Sequence, residues 1–531
     1  MVSYVSVVLV AYVLVVYTKF KKIDHFMHTK IFSATTIGIH AHQVDVEVDI
    51  SFGLVNFFIV GLPDTAIKES RQRIVTALKN SGFKVPEKKI TVNLAPAHIK
   101  KEGTLFDLPI ALGILYASKM IDIDPKFLEE TIIIGELSLD GTIKPIKGAL
   151  SIACDASKLG KKRIILPHDN AYEAGLIEDV EVFGVKSLVE LVHFLRGETK
   201  ITATKTDIKN YIASQNFEKI DFSDVRGQSW AKRALQIAAA GRHNILFSGP
   251  PGSGKTMLAK RLLTILPEMT FQEIIDTTKI YSISGKLGTK SLIVQRPFRS
   301  PHHSVSLPGL IGGGSFPKPG EASMAHHGVL FLDELTEFKR DVLEALRQPL
   351  ESKVAEISRV QQSIQYPAAF LLVAALNPCP CGYFGDTTKA CICSSAQIQK
   401  YQSKLSGPLL DRIDIKVSVQ AVSYQDATDT KAPDKISSLK LLEGISFALK
   451  KQIERFGSIY KTNSMMSAQE VEQFCKVDTE GQKLLEQAFS KLNLSMRSYH
   501  KILKLARTIA DIEDSQNIQS KHIQEAIMYK S

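Results

Sequence analysis

The stretch HNILFSGPPGSGKTMLAKRLLTIL, residues 243–266, changes character twice. It opens as a short apolar strand, passes through a loop dense in glycine and closes as a helix. The middle, GPPGSGKT, fits G-x-x-x-x-G-K-[ST] in the strand–loop–helix setting that gives this pattern its meaning. Gly249, Gly252 and Gly254 let the backbone turn its N–H groups inward. The helix start adds positive potential, so the loop is suited to cradle phosphates. Gly249, Pro250, Pro251, Gly252, Ser253, Gly254, Lys255 and Thr256 are therefore the candidate ATP-binding residues. Lys255 is expected to reach the β and γ phosphates, and the Thr256 hydroxyl to ligate Mg²⁺.

Downstream, GVLFLDEL (residues 328–335) reads as a buried strand with Asp333 and Glu334 emerging at its end. Asp333 is expected to hold Mg²⁺ and Glu334 to polarise the attacking water. AFLLVAALNP (residues 369–378) is a third apolar strand, and the Asn377 amide at its end can orient that water. SGPLLDRIDI (residues 406–415) sets Arg412 among apolar residues, from where an arginine can act in trans on a neighbouring subunit's ATP. Arg497, near the start of the last amphipathic helix, is expected to reach the γ-phosphate from a lid. Singly, each arginine reads as a surface salt bridge; together with the other residues they read as catalytic.

These strands belong to an α/β block over residues 221–425. An earlier block, residues 28–200, is also α/β. VDVEVDI (44–50) alternates strictly, PDTAIKESRQRIVTALKNSG carries a helical period, and KKITVNLAP alternates again. In GELSLDGTIKPI, Asp140-Gly141 tolerates the positive φ angles of a tight hairpin turn. Residues 201–220 are polar and patternless, a linker, and Asp426 to Lys435 are polar again. Residues 436–531 read as helical, with Ile502, Leu505, Ala506, Ile509 and Ala510 on one face.

The chain has 531 residues, 44% hydrophobic and 23% charged, ordinary for a globular protein of about two to four domains. Its net charge of +11 favours acidic partners, of which nucleic acid is the commonest. Six cysteines, four of them clustered, exclude a secreted disulfide scaffold. Residues 1–27 form a hydrophobic leader, apolar from Val2 to Tyr17 and followed by Lys19, Lys21 and Lys22. No basic residue precedes the run, so it is not a signal peptide, and it is short for a membrane span. Two readings stand: an anchor through residues 1–17, or a start placed too far upstream of Met27. Both leave the functional domains in the cytoplasm.

The ordered set Lys255, Asp333-Glu334, Asn377, Arg412 and Arg497, with RPFRSPHHSVSLPGLIGGG (296–314) and MAHHGVLFLDEL, resembles the AAA+ ATPases of the magnesium-chelatase and MCM-helicase branch. VGLPDTAIKESRQRI, TVNLAPAHIKKEGTLFDLPIALGIL and GELSLDGTIKPIKGAL are similar to the magnesium chelatase-like family called YifB or ComM, and the likeness runs from residue 28 to about 530. The resemblance implies a Lon-protease-like α/β fold over 28–200, a P-loop AAA+ parallel-sheet core and a C-terminal helical lid. It further implies an ATP-driven ring, a hexamer, acting as a helicase on branched or single-stranded DNA in recombination or transformation. The alternative is a protein-remodelling motor of chelatase type working with a partner subunit.

A Lon-type peptidase needs a serine activated by a lysine. By resemblance the serine would fall near KEGTLFDLP, where Thr104 stands, and the lysine after IKPIKGAL, where Leu150, Ser151 and Ile152 stand. The block therefore reads as the fold without the dyad, and Thr104 has no evident partner base. NPCPCGYFGDTTKACICSS places Cys379, Cys381, Cys391 and Cys393 as C-x-C, nine residues, C-x-C. Four thiolates at this spacing can enclose a structural Zn²⁺; the alternative is a loop of free thiols. Cys154 and Cys475 read as ordinary buried thiols. The pairs His302-His303 and His326-His327 read either as a metal site or as loop packing. By resemblance, residues 266–327 and the hairpin KVAEISRVQQSIQYP (353–367) face a ring pore. Lys286, Lys290, Arg296, Arg299, Lys353 and Arg359 are then candidate phosphate-backbone contacts, or solvated charges.

Overall fold

A computed structural model describes residues 27–215, 220–288, 291–314, 317–358, 363–386, 389–421, 436–491 and 494–530. Two compact units divide the chain. One takes the described residues up to Ser214 with Ser282–Leu292, the other those of Gln215–Tyr281 and Ile293–Ser531.

In the first unit the alternating segments do become strands. Met27–Ile37 and Lys89–Ala95 both pair antiparallel with His40–Ser51, and Asn56–Val60 runs parallel to Lys89–Ala95 at the edge. Val44, Val46, Val48 and Ile50 all point into the core, as a period of two requires. The helix Thr65–Asn80 is capped by Asp64, whose carboxylate accepts from the Ile67 N–H, and contributes Ile74, Ala77 and Leu78 to that core. The helix Asp107–Ala117 is buried on nearly every side. A second, parallel sheet orders Thr131–Ile133, Arg163–Pro167 and Glu181–Val185.

The Asp140-Gly141 turn joins Glu136–Leu137 to Ile143–Lys144. Of the pair only Gly141 has a positive φ, +84°. The Gly141 N–H donates to Ser138 O at 3.0 Å, so this is a longer hairpin loop closed by a left-handed glycine. A Cβ at Gly141 would lie 2.1 Å from Ser81 Oγ, which fixes glycine there. The stretch expected as a linker is in part ordered against this unit. Thr204 N–H donates to Val182 O, Thr206 N–H to Gly175 O, and Ile208–Ser214 is a helix.

The second unit is built on a five-stranded parallel sheet, ordered Phe298–Arg299, Val329–Leu332, Leu371–Leu376, Ile245–Ser248, Ile415–Ser418. Val329–Leu332 and Leu371–Leu376 read as unbroken apolar runs because both faces are covered. Ile245, Phe247, Phe331, Val373 and Val417 pack on one side; Leu246, Leu330, Leu332, Leu372 and Ala374 pack on the other. The helices Ser438–Phe456, Ala468–Phe474, Thr479–Lys491, Met496–Ile512 and Ser520–Met528 follow. Ile502, Leu505, Ala506, Ile509 and Ala510 are buried along Met496–Ile512, as their spacing predicts. The polar stretch Asp426 to Lys435 lies outside the described residues, as does the leader through residue 26. Among the described residues no helix is long and apolar enough to cross a membrane.

Candidate active site

All the strands of the five-stranded sheet are parallel, so their carboxyl ends share one edge, where open α/β sheets bind ligands. The loop 249–254 leaves the strand Ile245–Ser248 there. Gly252 and Gly254 have φ of +78° and +86°, with nothing within 4 Å of an added Cβ. At Gly249 an added Cβ would lie 2.0 Å from Val419 O, so the loop packs tightly against its neighbour. Ser253 Oγ is buried without a partner among the described residues. Lys255 begins the helix Lys255–Arg261, and its Nζ donates to Gly249 O at 2.7 Å, Pro250 O at 2.9 Å and Asn377 Oδ1 at 3.3 Å. Burial lowers the Lys255 pKa, while Asp333 and Glu334 oppose that shift.

Asp333, Glu334 and Asn377 emerge at the same edge. The Thr256 hydroxyl donates to Asp333 Oδ2 at 2.8 Å, and the Glu334 N–H donates to Asp333 Oδ1 at 3.0 Å. Glu334 has a φ of +51°, a left-handed conformation that is strained for this residue and recurs at functional sites. Its carboxylate lies 3.4 Å from His303 Nδ1. The loop and carboxylates thus fit a metal–triphosphate: a backbone turn left open at Gly252 and Gly254, a flexible ammonium, and a hydroxyl–carboxylate pair suited to Mg²⁺.

Arg412 and Arg497 lie elsewhere. Arg412 precedes the strand Ile415–Ser418, and its carbonyl accepts from Asn244 Nδ2 at 2.9 Å. Asn244 in turn precedes the strand Ile245–Ser248, whose far end opens into the phosphate loop. Arg412 therefore sits at the amino edge of the sheet, separated from the loop by roughly the 10 Å rise of a four-residue strand. Arg497 Nη2 donates to Glu351 Oε1 at 2.8 Å, and Arg412 Nη2 donates to the same oxygen. The lid contact expected of Arg497 is thus turned away from this chain's own loop. Arg412, Glu351 and Arg347 line a cavity of about 820 Å³ on that side.

The half-buried carboxylate of Asp414 couples this edge to the lid. Burial pushes its pKa up, but the hydrogen bond from His243 and the charge of Lys501 outweigh it and hold the group far below the usual range. His243 Nδ1 is 3.5 Å and Lys501 Nζ 3.1 Å away.

Several expected DNA contacts are occupied otherwise. Arg296, its side chain only 7% exposed, forms an ion pair with Glu273 at 3.0 Å and donates to Pro267 O and His327 O. Arg299 pairs with Glu321 at 2.6 Å. Lys353 is half-buried, with its Nζ on Leu350 O at 3.1 Å. These three groups brace the fold because burial makes an unpaired charge costly. Lys290 and Arg359 lie outside the described residues, and Lys286 is exposed.

His326 and His327 are packed, not poised as ligands. His326 Nδ1 accepts from the Ala369 N–H at 3.0 Å, and burial holds its pKa well below normal. Burial, then Arg242, lowers His327 to about 4. The His302 ring meets Ser304. Among the described residues the one cluster of candidate metal ligands is Cys379, Cys381, Cys391 and Cys393. Cys475 is buried, and burial pushes its thiol up to about 12; Cys154 is only half-buried. In the first unit, the Thr104 hydroxyl donates to Glu136, an acceptor that the sequence did not reveal, while Ser151 is buried.

Comparison with known proteins follows the same division. Residues 221–427 match the family model described as magnesium chelatase, subunit ChlI; residues 46–170 match subunit ChlI of Mg-chelatase; and residues 435–530 match the ChlI C-terminal model. The chain is 44% identical over 504 residues to the competence protein ComM of Haemophilus influenzae, covering 94% of this chain and 97% of that one. It is 42% identical over 505 residues to the uncharacterized protein YifB of Escherichia coli, covering 95% and 96%. A shorter likeness, 32% over 127 residues, links it to Lon protease 2 of Bacillus subtilis, covering 24% and 22%.

Proposed function

The chain belongs to the ComM and YifB family of magnesium chelatase-like AAA+ ATPases, and from that premise we propose that it is a ring-forming motor that spends ATP on moving DNA. Lys255 binds the β and γ phosphates, Thr256 and Asp333 hold Mg²⁺, Glu334 takes up the proton of the attacking water, and Asn377 orients that water. Mg²⁺, when bound, would neutralise charge on the phosphates. Arg412 and Arg497 supply charge to a neighbouring subunit's nucleotide. The observation that carries the ring is their position: they sit at the amino edge of the sheet whose carboxyl edge holds the phosphate loop. Neither of these two arginines therefore lies over this chain's own phosphate loop. A homo-oligomer, in this family a hexamer, supplies one from a neighbour.

DNA, branched or single-stranded, is the proposed substrate, and recombination or transformation in the cytoplasm the setting. The net charge of +11 and the near full-length likeness to a protein named for competence support this. The first unit is read as a Lon-like fold that grips a partner or assists assembly, and the four-cysteine loop as a structural Zn²⁺ site.

The test is ATP hydrolysis with and without forked and single-stranded DNA, using Lys255→Ala as the blank. Hydrolysis stimulated by DNA, with DNA affinity that falls steeply with salt, is the expected result. A robust rate indifferent to every DNA structure would point to a protein substrate and reject the DNA reading.

A further inference from the structure

Between the strand Leu371–Leu376 and the helix Ser395–Gln402 the described chain forms no regular element. Such a loop must be ordered by something other than a ladder. Apolar burial does not do it, since Phe384 is 50% and Ile392 87% exposed. The sulfurs converge instead. Cys379 Sγ is 3.3 Å from Cys381 Sγ and 3.7 Å from Cys391 Sγ, and the latter two are 3.6 Å apart. All four ligand atoms lie within 4.8 Å of one another. Zinc bonds of about 2.3 Å in a tetrahedron place sulfurs about 3.8 Å apart, close to these spacings. The sulfurs are also met by backbone donors. The Phe384 N–H reaches Cys379 at 3.3 Å, those of Tyr383 and Ile392 reach Cys381, and those of Cys393 and Cys381 reach Cys391 and Cys393 respectively.

This loop is seated on the nucleotide site at three points. Asn377, which meets the Lys255 ammonium, lies two residues before Cys379. Gly382 presses on Pro251 in the middle of the phosphate loop: an added Cβ would fall 2.6 Å from Pro251 Cδ, and the φ of +87° also demands glycine. Beyond Cys393, Tyr401 on the following helix accepts from the Thr336 hydroxyl, two residues past Glu334.

We propose that Cys379, Cys381, Cys391 and Cys393 bind one Zn²⁺ as a tetrathiolate and that this metal sets the affinity of the phosphate loop for nucleotide. The coupling rests on the reading of GPPGSGKT as a nucleotide site. The metal replaces the four thiol protons, closes the loop and thereby fixes Gly382 against Pro251 and Asn377 against Lys255. Loss of metal frees both contacts.

The experiment uses the full chain purified under reducing conditions. Stoichiometric zinc is expected, retained by Cys154→Ser and Cys475→Ser and lost from the double variant Cys391→Ser, Cys393→Ser. Cobalt in its place should give the intense bands of a tetrahedral tetrathiolate. Stripping zinc with a chelator should weaken binding of a fluorescent ADP analogue on the order of 5-fold or more, with circular dichroism unchanged. Linkage requires ADP to raise zinc affinity by the same factor, a readout on the wild-type chain that needs no variant to fold. Absence of zinc, a nitrogen- or oxygen-rich cobalt spectrum, or equal ADP affinity with and without metal overturns the proposal. Lys255→Ala separates the two readings. It should keep zinc and lose nucleotide; if it binds nucleotide like the wild type, the phosphate-loop reading fails while the zinc content stands.

Discussion

Asp414→Asn tests whether the arginine edge is held by one half-buried carboxylate. Asp414 meets Lys501 at 3.1 Å and His243 at 3.5 Å, and accepts from the Asn244 N–H at 3.3 Å. Lys501 is 15% exposed, so the variant leaves an ammonium largely out of water without its counter-charge. Removing one partner of a buried pair costs about 3–5 kcal/mol. Both partners are only half-buried, the Lys501 ammonium also donates to Asp411 O and Ile413 O, and the asparagine retains one acceptor, which together argue for no more than the lower end, about 3 kcal/mol. Urea unfolding, followed by the transition of the ATPase unit, should show that loss at neutral pH. The pH dependence has a definite sign. The folded carboxyl is held below its unfolded value of about 3.9, so its contribution is present in full above about pH 4. It is lost as pH falls through the depressed folded value, and the gap between wild type and variant closes with it. Adding Lys501→Met to Asp414→Asn should recover stability, since the stranded charge is then gone. A gap below about 1 kcal/mol, or one that fails to narrow in acid, would refute the reasoning.

Glu334→Gln should bind ATP as tightly as the wild type while the hydrolysis rate falls on the order of 10²-fold or more, read by nucleotide titration beside steady-state turnover. Arg412→Ala should lose on the order of 10³-fold in rate. Mixed with Lys255→Ala it should recover activity, because some junctions then pair an intact loop with an intact arginine; mixtures as dead as their parents would place the arginine in cis. Arg299→Ala should lower the melting temperature by breaking the pair with Glu321, yet leave the salt dependence of DNA binding unchanged. A reduced salt slope would restore Arg299 as a phosphate contact.

The parts of the site that lie within one segment were legible in the sequence. GPPGSGKT and the acid pair at 333–334 each follow a buried strand, and a parallel sheet brings strand ends together without further information. Glu351 was not legible. It stands in a short helix with no motif, and its meaning comes from Arg412 and Arg497 approaching it from 61 and 146 residues away. Arg296 misled for the converse reason. A charge in a loop reads as solvated, whereas Glu273, buried in a neighbouring helix, had already claimed it. The cysteine spacing offered a metal cluster or a loop of free thiols, but Gly382 against Pro251 is a tertiary contact that no spacing encodes. Likewise, Asp140-Gly141 gave the turn's place while its type depended on Ser138.

If phosphate loop and arginines occupy opposite edges of one sheet, each chain holds halves of two different sites. A head-to-tail contact joins the loop edge of one copy to the arginine edge of the next and repeats; when the rotation closes it makes a ring, and otherwise a filament. In both cases the complete site exists only after assembly. Hydrolysis per chain must then rise with protein concentration and level off once assembly saturates. Arg412→Ala should stay low across the same range, because assembly brings its neighbour no charge. ATP turnover measured over a wide dilution series, beside sedimentation velocity on the same samples, gives both curves. They must share a midpoint. A rate per chain that is flat while the sedimentation coefficient changes would mean that each chain completes its own site, and the proposed ring would lose its support.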